Sequence, residues 1–181
     1  MLPNIHHYCL TNDDFYLQQG QKGPIMSTNI QGLSIVLFYS KKCDHCQKLI
    51  PIFKRLPTHI PNGIQFGMIN VCSNKNVIKK SRQTISPITF VPYIVLYVNG
   101  KPYMRYNGPH DISQIARFIK DVSSDLSQKM KQTRQNNTTT DNNSNQPRVV
   151  NKKNQLPSYT IGNPLCGEDG VCYLEFDEAY V

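Results

Sequence analysis

The stretch LSIVLFYS, residues 33–40, constrains this chain more than any other. It is almost wholly apolar, rich in β-branched and aromatic side chains, and shows no polar–apolar alternation. A strand of that kind is buried on both faces, as in the middle of an α/β sheet, so the rest of the chain must cover both sides of it. The next segment starts to do so. In CDHCQKLIPIFKRL (43–56), Leu49, Ile52, Phe53 and Leu56 recur at helical spacing. Pro51 falls inside that pattern and should kink the helix.

Further elements follow in order. IQFGMINV (64–71) reads as a second strand, and SNKNVIKKSRQ (73–83) as a short helix capped by Ser73 or Asn74. YIVLYVN (93–99) is a third strand; Asn99-Gly100 then signals a tight hairpin into KPYMRYN as a fourth. In DISQIARFIKDVSSDLSQ (111–128), Ile112, Ile115, Phe118, Ile119, Val122 and Leu126 form one stripe, with Asp111 near the start. The order from residue 33 is β-α-β-α-β-β-α. The crossover makes a parallel pair and the hairpin an antiparallel edge, which gives a mixed sheet with helices on its faces. Residues 1–32 form an N-terminal extension in which DDFYLQQ suggests the start of a helix and GQKGP a loop. Residues 129–155, rich in Asn and Thr, have too little apolar surface to offset their ordering entropy and read as a flexible linker. Residues 156–181 form an arm that regains apolar character, with GEDG between Cys166 and Cys172 suggesting a small hairpin.

Charge divides the chain. Residues 33–120 hold 13 Lys and Arg against 2 Asp and Glu, whereas residues 156–181 hold 5 acids and no Lys or Arg. The plain reading is a solvated basic face and an acidic tail. The sharper one is a tail that docks on the basic domain or competes with an acidic partner. The basic residues are scattered and no nucleic-acid motif accompanies them, which argues against nucleic acid as a partner. No stretch is long and apolar enough to span a bilayer, and the N-terminus lacks the features of a secretory signal. A soluble, cytoplasmic chain is therefore expected. In a reducing compartment the six cysteines, at 9, 43, 46, 72, 166 and 172, point to redox or metal roles for the close pairs before a structural disulfide framework.

Cys43 and Cys46 lie two residues apart where a buried strand meets a helix. They admit three readings: a redox pair, part of a metal site, or two bystander thiols. The position favours the first. At a helix N-terminus, orphan N–H groups and the dipole stabilise a thiolate, the species that attacks a disulfide, and a second cysteine one turn on is placed to resolve the product. A zinc site would use Cys43, His45, Cys46 and one further ligand. Neighbouring His and Cys at a helix start chelate one ion poorly, and no second CxxC or HxxxH is present. No metal and no cofactor are expected.

These residues carry a resemblance. Residues 33–125 resemble the thioredoxin superfamily in the strand SIVLFYS before the pair, in Cys43-Asp-His-Cys46, in Pro51 five residues after Cys46, in VPYIVLYVNGKP, and in Gly108 before the last helix. The resemblance implies a three-layer α/β fold over residues 33–128 and a thiol–disulfide oxidoreductase acting on protein cysteines. Cys43 would be the nucleophile and Cys46 the resolving thiol of a redox-active disulfide. A thiol oxidase or reductase would be the electron partner. It also implies a cis Pro92 that presents Val91 to an extended substrate peptide. His45 resembles the CxHC of protein disulfide isomerases and favours the Cys43 thiolate, as do Lys41, Lys42 and Lys48; Asp44 opposes them. Three positions depart from the family. Leu37 stands where thioredoxins bury an acid, Met68 where that acid's lysine partner belongs, and Lys42 where an aromatic residue precedes the pair. The usual proton relay is thus absent, which counts against efficient general reduction. Cys72, Cys166 and Cys172 are candidate auxiliary redox thiols. Their bland readings are an inert thiol at Cys72 and a local staple of the arm for the other two. The competing function is a non-enzymatic interaction or virion protein on a thioredoxin scaffold. A signal-less chain of this type with Asn-rich insertions also resembles those encoded by large cytoplasmic DNA viruses, which would place it in the host cytoplasm or the virus particle.

Overall fold

The computed structural model describes residues 7–135 together with residues 172 and 173. Its elements are β1 (His7–Cys9), β2 (Phe15–Gly20), β3 (Gly23–Thr28), β4 (Leu33–Tyr39), α1 (Asp44–Arg55), β5 (Ile64–Asn70), α2 (Lys75–Arg82), β6 (Phe90–Val91), β7 (Tyr93–Val98), β8 (Lys101–Tyr106), α3 (Ile112–Gln135) and β9 (Cys172–Tyr173). Five strands form the main sheet in the order β1-β5-β4-β7-β8. β1 and β4 run parallel to β5, while β7 is antiparallel to both β4 and β8. The sheet is mixed, and β4 occupies its middle.

The position of β4 accounts for its composition. Side chains alternate across a strand, so a strand covered on both faces needs apolar residues at every position. Ile35 and Leu37 pack on one side with Leu49 and Phe53 of α1 and Ile115, Ile119 and Val122 of α3. Val36 and Phe38 pack on the other with Val77 and Ile78 of α2, and with Phe15 and Met26 of the β2–β3 pair. The result is a three-layer α/β fold with helices on both faces, as the resemblance implies.

Three boundaries differ from the sequence-based expectations. Residues 15–28 form an antiparallel hairpin, Phe15 opposite Thr28, where a helix start and a loop were expected. Phe15 is buried against Phe38, with ring centroids 5.5 Å apart, and strand pairing with residues 23–28 supplies the backbone hydrogen bonds that a helix would have made within itself. The N-terminal extension also contributes β1 to the main sheet, next to β5. α3 continues through Gln135, seven residues beyond the expected end at 128. Residues 129–135, KMKQTRQ, contain no Gly or Pro and consist mostly of good helix formers. The rest of the expected linker, and Cys166 with the turn beside it, lie outside the described residues.

Candidate active site

The site forms where β4 ends. After Tyr39 the chain turns through Ser40, Lys41 and Lys42, and Cys43 becomes the N-cap of α1 in an extended conformation (φ −102°, ψ 115°). At that position the Sγ of Cys43 accepts the backbone N–H of Cys46 at 3.3 Å. A sulfur thus takes one of the orphan N–H groups that an Asp or Ser N-cap would normally satisfy. Cys43 is 3% exposed and Cys46 fully buried, so the pair opens to solvent through Cys43 alone.

The turn is held from several sides. Cys43 N–H donates to the Ser40 carbonyl at 3.3 Å, and Gln47 N–H to the Cys43 carbonyl at 3.0 Å. The Gln47 side-chain amide reaches back to the Lys41 carbonyl at 3.0 Å. Ser40 Oγ accepts Lys42 N–H at 3.1 Å and lies 3.0 Å from the Sγ of Cys72. Cys72 is exposed, in the turn after β5, on the same end of the sheet as Cys43. Sequence reasoning missed Ser40 and Gln47. Neither belongs to a recognisable motif, although Gln47 sits one helical turn after Cys43.

Val91 lies directly against the pair. The Val91–Pro92 peptide is cis, and the Sγ of Cys43 lies 3.7 Å from the Val91 carbonyl oxygen in a hydrogen bond that the thiol donates. Val91 is buried. Beside it, Arg105 of β8 lays its guanidinium over the rings of Phe90 and Tyr93, 5.4 Å from each centroid. Burial pushes the Tyr93 phenol above its ordinary range, and Arg105 offsets part of the rise.

A second histidine lies within electrostatic reach of His45. His110, ahead of α3, has its pKa lowered, first by burial and then by the like charge of His45. His45 and His110 therefore face each other electrostatically across 65 residues of sequence. Only tertiary structure makes them neighbours, so the sequence carries no signal for it. Next to His110, Asp111 Oδ2 accepts the N–H groups of Ser113 and Gln114 at 2.9 and 3.2 Å and caps α3.

Leu37 and Met68, where the resemblance implies a buried acid and its lysine partner, are register partners in the parallel β4–β5 pair. Both are buried in the same apolar cluster. An apolar pair thus occupies this register position, without a titratable group in either side chain. Cys9 is exposed on β1. Cys172 lies on β9, whose backbone pairs with β6.

The thioredoxin family model matches residues 25–121. Two relatives come from invertebrate iridescent viruses. Uncharacterized protein 196R of Invertebrate iridescent virus 6 is 31% identical over 147 residues, covering 81% of this chain and 74% of the relative. Uncharacterized protein 020R of Invertebrate iridescent virus 3 is 30% identical over 178 residues, covering 94% of each. A third relative, protein disulfide isomerase-like 2-3 of Oryza sativa subsp. japonica, is 29% identical over 97 residues; this chain covers 20% of its length.

Proposed function

The chain belongs to the thioredoxin family, and on that premise we propose that it is a thiol–disulfide oxidoreductase acting on protein cysteines through Cys43 and Cys46. The observation that carries this reading is the Sγ of Cys43, held at the N-cap of α1 by the Cys46 N–H and set against the Val91 carbonyl. A negative sulfur there gains from the helix N-terminus, and attack by it on a substrate disulfide gives a mixed disulfide through Cys43. Cys46, one turn on and shielded from solvent, then resolves that intermediate. The edge of β6 supports an extended substrate peptide by backbone pairing at Val91.

The Leu37–Met68 pair bears on direction. With hydrocarbon at both positions, the proton of Cys46 has no buried carboxylate to receive it, so resolution proceeds through water or His45. Slow resolution suits disulfide formation or shuffling better than rapid reduction. We place its action in the host cytoplasm or the virus particle, as the resemblance to proteins of large cytoplasmic DNA viruses implies.

The test is turnover of a peptide disulfide by the full chain in a glutathione buffer. Cys43→Ser should abolish exchange, and Cys46→Ser should accumulate mixed disulfide with the substrate. Undiminished turnover by Cys43→Ser would sink the proposal and favour a binding scaffold.

A further inference from the structure

β6 does not lie open. β9 runs antiparallel along it, with Phe90 opposite Tyr173 and Val91 opposite Cys172. Residues 172 and 173 of the C-terminal arm therefore occupy the edge on which a substrate peptide would pair. This pairing also brings a cysteine to the register position of Val91, the residue whose carbonyl takes the Sγ of Cys43 at 3.7 Å. Directly opposed residues of an antiparallel pair have Cα atoms about 4.5–5.5 Å apart. The backbone of Cys172 thus stands one strand spacing from a residue in contact with the nucleophilic sulfur. Charge points the same way. The arm carries 5 acids and no Lys or Arg, while Lys41 and Lys42 precede Cys43 and Arg105 covers Phe90 and Tyr93.

Building on the reading of Cys43 and Cys46 as an exchanging pair, we propose that the arm is an intramolecular substrate: β9 docks on β6 as a substrate strand, and Cys172 exchanges with Cys43. With the Cys43–Cys46 disulfide formed, the Cys172 thiolate attacks the sulfur of Cys43. The Cys43–Cys172 bond forms, the Cys43–Cys46 bond breaks, and Cys46 leaves as the thiolate. The proton lost by Cys172 is matched by one gained at Cys46, and no outside oxidant is consumed. Attack by Cys46 on Cys43 reverses the step. An external peptide must displace β9 to reach Cys43, so the arm sets which substrates gain access.

The experiment uses the full chain carrying Cys46→Ser, equilibrated with submillimolar glutathione and glutathione disulfide. Glutathione disulfide is the oxidant here: it first caps Cys43, and the Cys172 thiolate then displaces glutathione. After acid quenching, disulfide-linked peptides are mapped by mass spectrometry. The Cys43–Cys172 link should exceed links from Cys43 to Cys9, Cys72 or Cys166 by about tenfold, since docking gives Cys172 a high effective concentration. Adding Cys172→Ser should leave Cys43 capped by glutathione. A Cys43 that stays glutathionylated with Cys172 present, or that links equally to the other cysteines, overturns the inference. Turnover of an external peptide by the wild-type chain, measured in parallel, separates the two readings. Turnover without the Cys43–Cys172 link removes the arm as a substrate and leaves the proposed function standing. The link without turnover supports the arm and confines exchange to it.

Discussion

At the scale of single residues, the Leu37–Met68 pair stands where the resemblance implies an acid and a lysine. Because the two are register partners on one face of the sheet, restoring the polar version requires changing both. Leu37→Asp alone buries an unpaired carboxylate and should cost about 3–5 kcal/mol. The double variant Leu37→Asp/Met68→Lys should recover at least about 1 kcal/mol of that loss, read as a shift in the urea midpoint. It should also speed the release of mixed disulfide from Cys43. His110 gives a pH prediction. Its folded-state pKa is lowered, so the unfolded chain binds a proton more readily. Stability is therefore retained above the ordinary histidine pKa of 6.5 and declines as pH falls through and below it. His110→Asn should flatten that decline in unfolding curves recorded from about pH 7.5 to pH 5.

Among the elements, the hairpin between β7 and β8 turns on Asn99 and Gly100, with φ of 48° and 75°. The Gly100 carbonyl accepts the Thr28 N–H at 2.7 Å, and a Cβ at Gly100 would collide with the Thr28 carbonyl oxygen. Gly100→Ala should therefore cost about 2 kcal/mol or more, from both the strained φ and the displaced β3, measured by thermal or urea unfolding. This hairpin was legible because Asn-Gly is a local signal. β4, β5 and β7 were legible because burial on both faces writes itself into composition. β2 was not. Asp13, Asp14 and a Leu-Gln-Gln run favour a helix start locally, and only the pairing with β3 and the burial of Phe15 decide for a strand. β6 and β9, two residues each, are too short to show any period. At the site, Cys43, Cys46 and Val91 announced themselves through motif and resemblance. Ser40, Gln47 and His110 did not, because their roles depend on what the fold brings beside them. The arm's opposite charge and its cysteines at 166 and 172 were legible, but its pairing with β6 was not.

For the whole molecule, the N-terminal segment is part of the domain's stability. Leu10 donates its N–H to the Met68 carbonyl at 2.9 Å and buries its side chain over Gly67. A Cβ at Gly67 would lie 2.6 Å from Leu10 Cδ1, so the glycine makes room for that contact. A chain beginning at Thr11 should lose about 2–3 kcal/mol, since it exposes Leu10's footprint and unpairs β5; its urea midpoint should fall without loss of cooperativity. The opposite border of the sheet has another consequence. Pro102 of β8 lacks an N–H, and the register shifts between Leu96 and Tyr97, whose partners are Met104 and Pro102, which puts a bulge at Tyr103. A second molecule approaching this border finds no continuous row of donors and acceptors on which to zip up. At high concentration the protein should accordingly resist growing into fibrils by pairing β8 edge to edge with another sheet.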